Sequence, residues 1–153
     1  MTEDPRSVIL ALAEHEEAMS ALYSAYADAY PDVAGLWTAL ARDEHGHGAM
    51  LRSLVDGDVD VASFAADRGF DLADIRADTA RLANMARITP AAGFPLQEAF
   101  RVAIKLEDSL IESQVLVVYD NDPPEVVKVL DTLRDQTEKH RHRLSERFTT
   151  LGA

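Results

Sequence analysis

The sequence predicts an all-α fold, and three observations carry that expectation. Ala, Leu, Glu and Arg are abundant, whereas Gly and Pro number only 7 and 6 in 153 residues. Apolar residues recur at intervals of three and four over long segments, and no stretch alternates with a period of two and β-branched enrichment.

The first helix should start at Asp4-Pro5, a side-chain cap followed by proline at the first helical position, and run to about Tyr30, where Pro31 stops it. The second runs from about Asp32 to Val55 and closes at Asp56-Gly57, with the glycine expected in the left-handed conformation of a C-cap. So short a link makes the two an antiparallel hairpin. A broken stretch over residues 58–69, an amphipathic helix from about Leu72 to Ile88 and a break from Thr89-Pro90 to Gly93 form a connector. The next long helix spans about Pro95 to Tyr119. The turn Asp120-Asn121-Asp122-Pro123-Pro124-Glu125, with Asp122 and Glu125 as a capping box, then opens a last helix that starts near Pro123 and reaches about Leu151. Two long hairpins joined by one crossover, in a single domain over residues 1–153, make the layout of a four-helix bundle.

Composition removes several classes of function. With no cysteine, disulfides, thiolate metal ligation and cysteine nucleophiles are excluded. Against 15 basic residues stand 27 acidic ones, a net charge of −12 that argues against nucleic acid and anionic membranes as partners. The basic group Lys139, Arg141, Arg143 and Arg147 reads as complementing the negative end of the last helix. No apolar run approaches the roughly 18–20 residues of a membrane span, and Met1-Thr2-Glu3-Asp4 lacks a signal-peptide pattern, so the expected location is cytoplasmic.

The apolar stripes of the four long helices are interrupted at mid-length. Helix one carries Ile9, Leu12, Met19, Tyr23, Tyr26 and Tyr30, with Glu16 among them. Helix two reads Leu36, Leu40, Glu44, His47, Leu51 and Leu54; Glu44 and His47, three apart, point the same way. The third long helix gives Phe100, Ala103, Ile104, Glu107, Leu110, Ile111, Gln114 and Val118, and the last gives Val126, Leu130, Leu133, Thr137, His140, Leu144 and Phe148. Counted from the two turns, Glu16, Glu44 and His47 sit at one height, and Glu107, Thr137 and His140 sit at the equivalent height of the second hairpin. An ionised carboxylate taken out of water costs several kcal/mol, against a total domain stability of about 5–15 kcal/mol. Three buried glutamates therefore need protons, cationic partners or a metal. The stripes offer histidine at that level and no Lys or Arg, and carboxylate with imidazole suits iron, manganese or zinc.

The run Glu16…Leu22-Tyr23…Tyr26-Ala27…Pro31…Trp37…Leu40-Ala41…Glu44-x-x-His47…Leu51 resembles the ferritin-like superfamily, most of all a rubrerythrin-type domain. The likeness covers both hairpins, with Ala103-Ile104…Glu107 as its weaker continuation. It implies a di-iron centre in which Glu16 and Glu107 are terminal ligands, Glu44 bridges, His47 serves one metal and His140 the other. It implies a peroxidase- or ferroxidase-type oxidoreductase acting on peroxide or O2, with Glu16, Glu44 and Glu107 in the reacting centre. A homodimer is the expected assembly, and electrons must come from an external donor, because the rubredoxin-type iron centre of full rubrerythrins needs cysteine.

One position departs from the family pattern. Thr137 stands where a second bridging Glu belongs, and Glu138 is turned about 100° away along the helix. The second metal site is thereby weakened, and two alternatives stay open: a bundle that has lost metal and serves as a binding or dimerisation module, and an iron-storage subunit. His15, His45 and His142 read as surface or outer residues. Tyr23 reads as core or as a donor to a ligand, and Trp37, Met19 and Met50 as packing.

Overall fold

The computed structural model describes residues 3–62, 64, 70–89, 93–112 and 117–151. Within them lie five α-helices: α1 (Pro5–Ala29), α2 (Ala34–Asp56), α3 (Leu72–Ile88), α4 (Leu96–Glu112) and α5 (Pro124–Leu151). No strand occurs among the described residues, and no helix there is long and apolar enough to cross a membrane.

Local chemistry sets the ends. Asp4 caps α1 by accepting the Ser7 N–H, and Pro5 takes the first turn. The link between α1 and α2 is a short 3-10 turn, Pro31–Val33, so α2 begins two residues later than expected. Gly57 corrects a further expectation: its φ of −92° and ψ of −178° are extended, not left-handed, and its N–H closes the helix on the Ser53 carbonyl at 3.1 Å. The only glycine at positive φ among the described residues is Gly93, at 59°, in the break before α4. Asp71 caps α3 through the Ala73 and Asp74 N–H groups.

The largest difference is in the helix expected over Pro95 to Tyr119. It is described as helix only to Glu112, and residues 117–119 are non-helical. Asp122 explains the second part: its carboxylate accepts the Tyr119 N–H at 2.8 Å while its own N–H reaches back to the Tyr119 carbonyl. That closes a turn over residues 119–122 and delays α5 to Pro124. Gln114 and the side chains of Leu110 and Ile111 lie outside the described residues, as does most of the stretch expected at residues 58–69. Another correction concerns Lys139, Arg141, Arg143 and Arg147. All are exposed, but the last turn of α5 holds no basic residue, so they stand too far from its C-terminal end for the dipole argument, which fades beyond one turn.

Contacts across the helices show how they run. Arg6 near the start of α1 donates to the Val55 carbonyl near the end of α2 (2.7 Å), Ser20 donates to Ala41 (2.7 Å), and Tyr23 faces Trp37. Residues ever closer to the connecting turn thus meet, so α1 and α2 are antiparallel. In the same way Phe100 of α4 faces Phe148 of α5, and Asp108 pairs with Arg141 at 3.4 Å. α3 lies along α1, tied by His15 Nε2 to Asp78 Oδ2 at 2.7 Å, and α2 also packs against α5. Where α2 passes α1 closely, a Cβ on Gly48 would sit 3.0 Å from Glu17 Cγ and 3.2 Å from the Ala13 carbonyl oxygen.

Candidate metal centre

All five expected ligands are buried: Glu44 and Glu107 are fully covered, and Glu16, His47 and His140 are within 6% of it. They form two trios, Glu16 with Glu44 and His47, and Glu44 with Glu107 and His140, each with its ligating atoms within 4.8 Å of one another. Four helices contribute: Glu16 from α1, Glu44 and His47 from α2, Glu107 from α4 and His140 from α5.

Glu44 joins the two halves. Its Oε2 lies 3.0 Å from His47 Nδ1 and its Oε1 lies 3.2 Å from His140 Nδ1. Glu16 Oε2 approaches His47 Nδ1 at 3.7 Å, and Glu107 Oε1 approaches His140 Nδ1 at 3.5 Å. The two imidazoles stack, 5.8 Å between centroids. Each histidine thus turns Nδ1 toward the carboxylates, while its Nε2 faces an outer acceptor: Gln136 Oε1 for His47, and Asp43 Oδ2 at 3.0 Å for His140. Such an outer partner keeps the Nε2–H in place, so the proton free to leave is the one on Nδ1. Its departure points a lone pair into the trio.

The cluster is protonated when no cation is there. Burial, with the Glu44 carboxylate next, raises the Glu16 carboxyl to about 8. Burial pulls His47 down, but hydrogen bonds and charge from Glu16 and Glu44 outweigh it and lift the imidazole to about 11. In His140, burial is likewise overcome by Glu107 and Glu44, to about 10. Even so, Glu16 Oε2 and Glu107 Oε2 are buried without a hydrogen-bond partner. Burial makes such unbonded oxygens costly, and an ion seated between the carboxylates would offset that cost.

Tyr23 is a donor to the cluster: its hydroxyl donates to Glu107 Oε1 at 2.9 Å from a fully buried ring. Thr137, 2% exposed, occupies the same face of α5 as His140, and Glu138 is exposed as expected. His45 and His142 are exposed, whereas His15 is buried at 9% against Asp78 of α3. Sequence reasoning missed Asp43 and Gln136. Each directly precedes a stripe position, Glu44 and Thr137, and only the facing helix distinguishes it from a solvated residue.

No known protein family, curated protein or solved structure matches this chain.

Proposed function

We propose that the protein is a ferritin-like four-helix bundle of rubrerythrin type, with α1/α2 and α4/α5 as its hairpins and α3 in the crossover, that binds iron and acts as an oxidoreductase on peroxide or O2. One observation carries the reading: two buried trios share Glu44 and leave one carboxylate oxygen each of Glu16 and Glu107 without a hydrogen bond among the described residues. A cation answers both needs at once, and this donor set also suits manganese or zinc.

In this reading Glu16, Glu44 and His47 hold one ion, and Glu44, Glu107 and His140 hold the other. Iron, when bound there, would supply one-electron redox chemistry. The chain supplies orientation and dryness. Asp43 and Gln136 fix the imidazole planes through Nε2, and Tyr23 holds Glu107 Oε1, the oxygen that also faces His140 Nδ1. The reductant and the homodimer expected from the resemblance belong to the same proposal.

Metal analysis after expression with iron tests it. Iron should bind and peroxide should be consumed, and Glu44→Ala should lose both, because it strips an oxygen from each trio. Trace iron that is unchanged in Glu44→Ala would overturn the reading. Thr137 favours a second reading, in which the second ion is lost and the bundle serves as a binding or dimerisation module. Thr137→Glu separates the two: it should raise the occupancy of the second ion in a working centre and leave a metal-free module unchanged.

A further inference from the structure

We propose that the aromatic side chains between this centre and the α1–α2 turn conduct single electrons, with Tyr30 as the outer end. The proposal rests on the metal reading above. Three of the four tyrosines and the only tryptophan of the chain lie in one row. Tyr23 hydrogen-bonds Glu107, and its ring centroid is 5.7 Å from that of Trp37. Trp37 is 4.9 Å from Tyr26, and Tyr26 is 6.0 Å from Tyr30. Tyr23, Trp37 and Tyr26 are fully buried, while Tyr30 is half-buried with its hydroxyl donating to the Phe94 carbonyl. The row therefore starts on a candidate ligand and ends at the surface.

Packing alone does not account for these residue types. Trp37 Nε1 and Tyr26 Oη are buried without a hydrogen-bond partner. An unsatisfied buried donor costs about 1–3 kcal/mol, which phenylalanine would avoid in the same space. Phe100 does fill such a place, 5.1 Å from Trp37 on its other side. What indole and phenol add to a phenyl ring is ready one-electron oxidation.

The electrons balance as follows. Reducing one hydrogen peroxide to two waters takes two electrons and two protons. Where Thr137 leaves the trio of Glu44, Glu107 and His140 empty, a single ferrous ion held by Glu16, Glu44 and His47 would give one electron and be left ferric. Tyr23 supplies the other, its phenolic proton passes to Glu107 Oε1 and on to the peroxide oxygen, and the second proton comes from solvent. Trp37 then gives an electron to Tyr23, which regains a proton through Glu107. Nothing among the described residues accepts the Trp37 N–H, so the indole stands as a cation radical. Tyr30 refills Trp37 across the Tyr26 ring and releases its proton at the surface. A one-electron reductant in solution restores Tyr30 with a proton, and a second electron passed along the same row would return the ion to the ferrous state, so the donor meets the protein there rather than at the buried centre.

The test uses iron-loaded protein whose metal content is measured first. Hydrogen peroxide is added with a nitroso radical trap, and the labelled peptides are mapped by mass. The parent should carry the trap on Tyr30. Trp37→Phe should keep its iron, lose the Tyr30 label and show a longer-lived buried tyrosyl signal in freeze-quenched EPR. Tyr30→Phe should strand the hole on Trp37, read as faster loss of indole fluorescence. Iron bound and peroxide consumed with no label on Tyr30, or with equal label in Trp37→Phe, overturns the conduit alone. If Trp37→Phe does not fold, Tyr30→Phe decides, and unchanged Trp37 loss overturns the proposal. A parent that takes up no iron overturns the metal reading and the conduit with it, and the metal analysis tells that result from the others.

Discussion

The two oxygens of Glu44 face different imidazoles, so the protons around them are shared across the whole cluster. Glu16 is held protonated to about pH 8, and His47 and His140 to about 11 and 10, so near pH 7 each carries a proton that a metal must displace. Metal uptake should therefore release about three protons, one from each, measurable by calorimetry in buffers of different ionisation enthalpy. A release near zero would mean that the ion binds elsewhere. Stability of the metal-free protein should respond with a definite sign. Glu16 is raised from an ordinary 4.5, so the unfolded chain gives up that proton first and stability falls from pH 4.5 to about 8. Both imidazoles are raised from 6.5; their stabilisation is complete below 6.5 and is lost up to about 10 for His140 and 11 for His47. With chelator present, the melting temperature should be lower at pH 9 than at pH 6.5. Iron affinity should move the opposite way, since its ligands bind deprotonated.

Two glycines of α2 test how tightly that helix lies on α1. A Cβ at Gly46 meets nothing within 4 Å, so Gly46→Ala should stabilise by about 1 kcal/mol through helix propensity alone. Gly48→Ala gains the same propensity but presses on the Ala13 carbonyl, which the α1 ladder holds in place, and should fall below the parent. Urea unfolding of both variants reads the difference, and equal stabilisation would mean that the helices can part freely. Elements of this kind were legible where one residue decides them, as at the Asp4-Pro5 start. They were not legible where a side chain had two competing roles: Asp122, read as a helix cap, also turns back to close a bend on Tyr119, and Gly57 closed α2 in an extended conformation. The candidate site followed the same logic. Glu16, Glu44, His47, Glu107 and His140 betray themselves by replacing apolar residues in a stripe. Asp43 and Gln136 act from the flank of a stripe, where period alone assigns them to water, whereas Tyr23 could be read as core or as a donor, and its hydroxyl does donate to Glu107.

At the scale of the molecule, the two trios differ in what they join. Glu16, Glu44 and His47 lie entirely within the α1/α2 pair, whereas Glu44, Glu107 and His140 span α2, α4 and α5. An ion in the first trio ties a hairpin that a short turn and close packing at Gly48 already hold. An ion in the second ties α4 and α5 to the rest, across a boundary that is otherwise made chiefly by α2 against α5. Ligand binding stabilises whatever must stay folded to make the site, so the two ions should protect different helices. Hydrogen exchange followed by mass spectrometry should show iron slowing exchange most in α4 and α5, with α1 and α2 changing less. His140→Ala keeps the first trio intact, and it should abolish the added protection of α4 and α5 while retaining iron in the other site. Protection spread evenly over all helices, or lost everywhere in His140→Ala, would mean that the five ligands act as one indivisible site.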